Sequence, residues 1–295
     1  MTVATLASPI PRMLAAWEGQ RRARRTATLF YTAVMLACLL LAALVSEVRP
    51  ATLAAGLPRI GEYFWLILPT LRWETLFYGV KVEGSLAFWM YRLDAWALLM
   101  LETSQMAALA TLMGSAAALV LCFPASRNLM PLAPVTFILV RRFLELFRTV
   151  PDIVYALILV WAFGVGPLAG ILAIALHTTG ALGKLFAEAV ENADRRPVDG
   201  VRASGGTWLH AVRFAILPQV LPNMLSYALL RFEINVRGAS VIGFVGAGGI
   251  GQELYTVISF NYYEEVSAIV ALIILTVSAI DLVSERLRFR VIGAR

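Results

Sequence analysis

Charge is scarce in this chain of 295 residues: Asp, Glu, Lys and Arg together make up 15%, against roughly 25% in soluble globular proteins. A soluble fold with so few charges and 60% hydrophobic residues would leave large apolar patches in water and aggregate. Cysteine is scarcer still. Cys38 and Cys122 both fall inside apolar runs, so they form neither a disulfide framework nor a metal-site spacing. The two histidines, His177 and His210, form no His–carboxylate cluster with metal-ligand spacing. A G-x-x-x-x-G-K-[ST] loop is missing, since Gly183-Lys184 has neither the upstream glycine nor the following hydroxyl, which excludes a P-loop ATPase. No nucleophile–base pair, internal repeat or low-complexity segment stands out. Lysine is nearly absent: of 25 basic residues only Lys81 and Lys184 are not Arg.

What is present is long apolar runs, with a mean hydropathy of +0.76. A helix needs about 20 apolar residues to cross a bilayer core, and the runs predict an all-α polytopic membrane protein of about six spans. The first covers residues 28–46, after a basic segment 1–27 that contains Arg21-Arg22-Ala23-Arg24-Arg25. That run is too long for the apolar region of a signal peptide, so a retained helix is expected. The second covers about Glu102 to Phe123. Pro131 to Arg148, broken by Arg141, Arg142 and Glu145, reads as a helix along the inner interface. A short third span, Asp152 to Phe163, follows Pro151; the others run from Pro167 to Ala187, Pro222 to Val245 and Glu265 to Leu282. The organisation expected is a core over 96–290, an outer segment 47–95 and a short tail 291–295.

Charge placement orients the spans. Segments 1–27, 124–149, 184–218 and 284–295 hold 18 basic residues, and segments 47–95 and 246–265 hold 5, all in the first of the two. The positive-inside rule then puts both termini in the cytoplasm of a bacterium, at its plasma membrane. The outer segment 47–95 and its edge are dense in aromatics, among them Trp65, Trp73, Trp89 and Trp96. Such density suits short interfacial helices, as an anchor belt or as a docking surface for an outer partner.

Two stretches carry motifs. Gly246-Ala247-Gly248-Gly249-Ile250-Gly251 satisfies G-x-G-x-x-G, but it ends an apolar helix instead of a strand and has no acid about 20 positions on. Close helix approach at a gate, through Gly246, Gly248, Gly249 and Gly251, fits better than a dinucleotide site. From Arg195 to Pro218 the pattern is a helix–turn–helix knob. Pro197 opens the first helix, Ser204-Gly205-Gly206 breaks it, Thr207 caps the second, and Leu217-Pro218 stops it. The knob is basic and apolar together, which suits either an interfacial helix or a partner-docking one.

Asp199-Gly200, Gly205 six residues after Asp199, and Leu217-Pro218 together resemble the EAA loop, E-A-A-x3-G-x9-I-x-L-P, of binding-protein-dependent ABC importer permeases. Asp199, Gly200 and Ala215 depart from its Glu, Ala and Ile. Phe147 to Asp152, Leu176 to Gly180, Gly183 to Glu188, and Asn235 to Ala239 are similar to the phosphonate-permease branch of that family. The resemblance implies a type I importer permease fold, a non-catalytic subunit without a cofactor of its own, and a second permease subunit, identical in the homodimer reading. It further implies two ATPase subunits that bind ATP and Mg, and an extracytoplasmic solute-binding protein that delivers a phosphonate- or phosphate-type oxyanion. In that frame 196–214 is the coupling segment. Val198, Val201, Trp208 and Leu209 would make apolar contact and Arg202 and Arg213 charged contact, with Asp199, Gly200, Ala203, Gly205, Leu217 and Pro218 completing the motif.

Arg231 and Arg237 stand in an apolar span, where charge is costly and usually faces a cavity. Glu233 is near enough to neutralise one of them. Arg237 is the better candidate to meet an oxyanion in passing, its planar fork offering two hydrogen bonds. Arg148 and His177 join the candidate pathway, with His177 read either as helix packing or as lining. A permease for another solute such as methionine is the alternative. A proton-coupled secondary transporter would need midplane carboxylates or paired repeats, and the repeats are absent.

Overall fold

The computed structural model describes residues 10–47, 49–129 and 134–293, and among them the chain forms helices and turns without strands. Residues 1–9 of the expected basic N-terminus, 131–133 of the expected interfacial helix and the last two of the tail lie outside the described residues. The chain divides into two compact units, residues 1–65 and 66–295.

The first unit holds α1, Ile10–Val45, and most of α2, Pro50–Ile67. The sequence places the start of the first span at Thr28, but the helix begins eighteen residues earlier. The arginines at 21, 22, 24 and 25 carry no helix breaker and continue it. Its apolar side chains, such as Leu40 and Leu44, are exposed, as suits a helix meant for lipid.

In the second unit a turn-rich stretch leads to α3, Leu86–Trp89, and then to α4, Leu93–Cys122. The second span therefore starts nine residues before Glu102. Asp94 is tolerated because it sits in the first turn, where the helix dipole favours an acid. The pair α5, Pro134–Thr149, and α6, Asp152–Phe163, bends by 86° across Pro151. After α7, Pro167–Glu191, come the knob helices α8, Arg196–Ala203, and α9, Trp208–His210.

Here the chain departs from expectation. Leu217-Pro218 does not stop the second knob helix, and Pro222 does not start the next span. The helix runs on through a π-helical turn, Ala211–Ile216, into α10, Leu217–Ile242, with Pro222 inside it. Pro218 has no N–H to give and its ring would strike the carbonyl one turn back; the wider turn just before it makes the room. Within the expected outer segment 246–265, a further helix, α11, Gly249–Ser259, follows the glycines. The last helix, α12, Tyr263–Gly293, outruns the expected Glu265–Leu282 at both ends.

By length and composition α1, α4, α7 and α12 can each cross a membrane, and the bent pairs α5–α6 and α10–α11 raise the number to six. Small residues bring the central pair together. Ala107, Ala110, Gly114 and Ala118 of α4 are buried at helical spacing. A Cβ on Gly114 would lie 2.7 Å from that of Thr178 in α7. Likewise a Cβ on Gly180 of α7 would stand 2.6 Å from the Arg148 nitrogen and the Leu144 oxygen, so α5 and α7 touch backbone to backbone.

Candidate functional site

Across the middle of this bundle lies a band of polar side chains. Asn235 of α10 is buried and donates from Nδ2 to Thr111 Oγ1 of α4 at 2.8 Å and to Thr178 Oγ1 of α7 at 3.0 Å. One turn below it, Arg231 reaches Thr178 Oγ1 with Nε at 3.4 Å and pairs Nη2 with His177 Nδ1. Positions 231 and 235 share a face because four residues nearly close a turn. Each buried amide hydrogen is thereby given an acceptor, which low-dielectric surroundings make costly to omit.

The acid expected to neutralise one of these arginines makes a direct ion pair with neither, and acts on Arg237 only across space. Glu233 points to α12, where Arg288 holds its carboxylate at 3.0 Å. Arg237 donates only to the Glu233 backbone carbonyl, at 3.5 Å, and its side chain is exposed. Among the described residues it forms no ion pair. Asp152, at the start of α6, lies within electrostatic reach of Arg231 and His177, and a Cβ on Gly238 would meet its Oδ2 at 3.4 Å. Arg148 is also within reach of His177.

The structure thus brings Arg148, His177 and Arg231 together and sets Glu233 and Arg237 on a different side of α10. Thr111, Thr178, Asn235 and Asp152 belong to the polar band with Arg231, and Arg288 to the Glu233 side of α10; none of the five was among the expected site residues. The signal for Asn235 was present, as an amide in an apolar span; Arg288 was hidden among charges flanking the membrane.

The second candidate surface is the knob. Val198, Ala211, Val212, Ala215 and Ile216 are buried in a core with Leu129, Leu144 and Phe186, so Val198 roots the knob and makes no outer contact. Trp208 is half-buried and spends its indole N–H on the Leu129 carbonyl at 2.7 Å. Both corrections have one cause. Two short helices need a hydrophobic floor of their own, and the apolar stripe supplies it. What faces outward is Asp199, Gly200, Arg202, Ala203, Gly205, Leu209 and Arg213, with Phe214 added, whose ring lies under the Arg213 guanidinium at 5.4 Å. Val201 and Leu217 are half-buried and Pro218 is exposed. Thr207 does cap the second helix, its N–H donating to His210 Nδ1 at 3.2 Å.

The glycine run is a packed reversal. Gly246, Gly248 and Gly249 all have φ between +71° and +87°. The backbone N–H of Ile250 donates to Thr103 Oγ1 of α4 at 2.9 Å, and Gly166 donates to the Gly246 carbonyl at 2.9 Å.

Comparison with known proteins follows the same lines. Residues 130–291 match the family described as binding-protein-dependent transport system inner membrane component. HtxC of Stutzerimonas stutzeri is 33% identical over 275 residues, 93% of this chain and 90% of that one. The phosphite transport system permease protein PtxC of the same organism is 40% identical over 194 residues, 66% and 70% of the two chains. Among solved structures, the MetNI methionine ABC transporter in inward facing conformations superposes with a TM-score of 0.58 at 20% identity, covering 68% of this chain and 98% of that one. That last likeness speaks for the fold alone.

Proposed function

Because this chain belongs to the binding-protein-dependent transport system inner membrane components, a family of ABC importer permeases, we propose that its solute is a phosphorus oxyanion of the phosphite, phosphate or phosphonate kind. The observation that carries this reading is Arg237, an exposed guanidinium on a membrane-spanning helix that makes no direct ion pair among the described residues. Arg148, His177 and Arg231 extend the basic character along the bundle. An arginine fork offers two parallel hydrogen bonds to a tetrahedral oxyanion, and an exposed one can let go again.

In this reading the chain is a multi-pass membrane subunit that does no chemistry. Two copies face each other, both termini lie in the cytoplasm, and a solute-binding protein outside delivers the anion. Two ATPase subunits, which hold the ATP and Mg, grip the outward side of the knob through Leu209, Phe214, Arg202 and Arg213. Closure of the ATPases rocks the spans, and the glycine reversal at 246–251 yields at the outer end.

The test is uptake into proteoliposomes holding the assembled permease, ATPase and binding protein, with labelled phosphite, phosphate, an alkylphosphonate and methionine offered in turn. ATP-dependent accumulation of at least one phosphorus oxyanion is expected. Uptake of methionine alone would overturn the assignment.

A further inference from the structure

The stretch after α4, the middle of α5 and the end of α7 are tied together by one carboxylate, and that tie leads to the knob. Glu191, the last residue of α7, accepts the Arg127 backbone N–H at 2.9 Å through Oε1. The same oxygen stands 3.2 Å from Arg141 Nη1 of α5, with both side chains about a third exposed or less. Next to it Asn128 Nδ2 donates to the carbonyls of Val190 and Glu191, at 3.0 and 3.1 Å. One residue further along, the Leu129 carbonyl receives the Trp208 indole N–H. The stretch 126–129 is therefore pinned on one side to the end of α7 and on the other to the knob.

The other half of the tie is steric. Gly180 and Gly183 press α7 onto α5 so closely that a Cβ on either would come within 2.6 Å of an α5 atom. Packed interiors pass on displacement because they have no slack. The weak point lies elsewhere, at the 86° bend between α5 and α6, where Pro151 interrupts the helical ladder.

We propose that Glu191 is a positioning residue for transport: through Arg141 it makes α5 follow the knob, so that a push on the knob swings α5, and Arg148 near its end, about the bend at Pro151. The proposal rests on the coupling reading of the knob given above. Without the tie, ATPase closure would still move the knob, while α5, held only by its packing on α7 and by Leu144 in the knob's core, followed less far and more ATP was spent per passage.

Two measurements test this on the assembled complex. Spin labels at Ser204→Cys on the knob and Leu139→Cys on α5, both exposed positions, report their separation through the ATP cycle. The separation should stay constant with Glu191 present and change on ATP addition in Glu191→Gln, which keeps an acceptor for Arg127 and removes the charge. ATP consumed per anion taken up should rise about fivefold in Glu191→Gln, the lower end of typical coupling between sites. Arg141→Gln should do the same, and the double variant should be no worse than either single one. A merely structural role would lower uptake and hydrolysis in proportion to assembled protein and leave their ratio alone. An unchanged ratio, or a knob–α5 distance that changes in the unaltered protein, overturns the proposal. A wild-type complex that fails to assemble with an ATPase would instead overturn the coupling reading.

Discussion

Glu233 is held by Arg288 of α12 at 3.0 Å, with the glutamate side chain 6% exposed and the arginine 24%. The two residues lock α10 to the last helix, and removing Arg288 leaves a buried carboxylate without its direct partner and with Asp281 and Glu285 acting on it. Arg288→Gln should therefore destabilise the protein by about 3 kcal/mol, the lower end for a broken buried pair. Glu233→Gln/Arg288→Gln should regain most of it. The thermal midpoint of the purified complex decides; a double variant as unstable as the single would show that the two do not depend on each other.

The same pairing turns the Glu233 carboxylate away from direct contact with Arg237. Arg237→Gln should accumulate and assemble normally while uptake drops more than about tenfold, a loss of roughly 1.4 kcal/mol or more in recognition. Adding Glu233→Gln should not restore uptake, because that acid has another partner. Normal uptake by a stable Arg237→Gln protein would remove the residue from the pathway.

Two glycines should answer alanine in opposite ways. Gly180→Ala drives a methyl into the α5 backbone, so α5 and α7 must part and the assembled protein should be lost or strongly destabilised. Gly200→Ala in α8 meets nothing within 4 Å and should stabilise by up to about 1 kcal/mol through helix propensity. Unfolding midpoints of both variants check this, and equal effects would count against the close α5–α7 contact.

Topology can be read by thiol labelling in a Cys-free background. Ser204→Cys and Lys81→Cys, both at exposed positions, should react from opposite faces of the membrane. Gly84 is unsuitable as an outer site because it is buried with φ +87°, and Gly206 as an inner one because a Cβ there would strike Val201. Reaction of Ser204→Cys and Lys81→Cys from one face would refute six spans.

The apolar runs announced the helices well because burial in lipid is a composition requirement, legible residue by residue. The starts of α6 at Asp152 and α7 at Pro167 agree with the sequence, each with a proline or acid that physically opens a helix. Continuity was not legible. Leu217-Pro218 and Pro222 read as punctuation, yet the helix passes through both, the first by way of the wider turn upstream. Partner choice was hidden for a related reason. Glu233 lies beside Arg231 and Arg237 in sequence, yet the direction of its side chain gives it to Arg288, near the far end of the last helix. Val198 and Trp208 carried the right apolar stripe, but a stripe does not say whether its cover is the chain itself or another protein.

The wide turn at Ala211–Ile216 also sets the heading of the knob. A π turn amounts to one residue more than an α-helix would need, and each α-helical residue advances the chain by about 100° around the axis. Shortening this stretch by one residue would take away the room that the Pro218 ring needs. It would also spin Leu209 and Arg213 about a quarter-turn away from where they now point. The surface the knob offers is thus aimed by a miscount in the helix that follows it, and an insertion or deletion there would misdirect an otherwise intact knob.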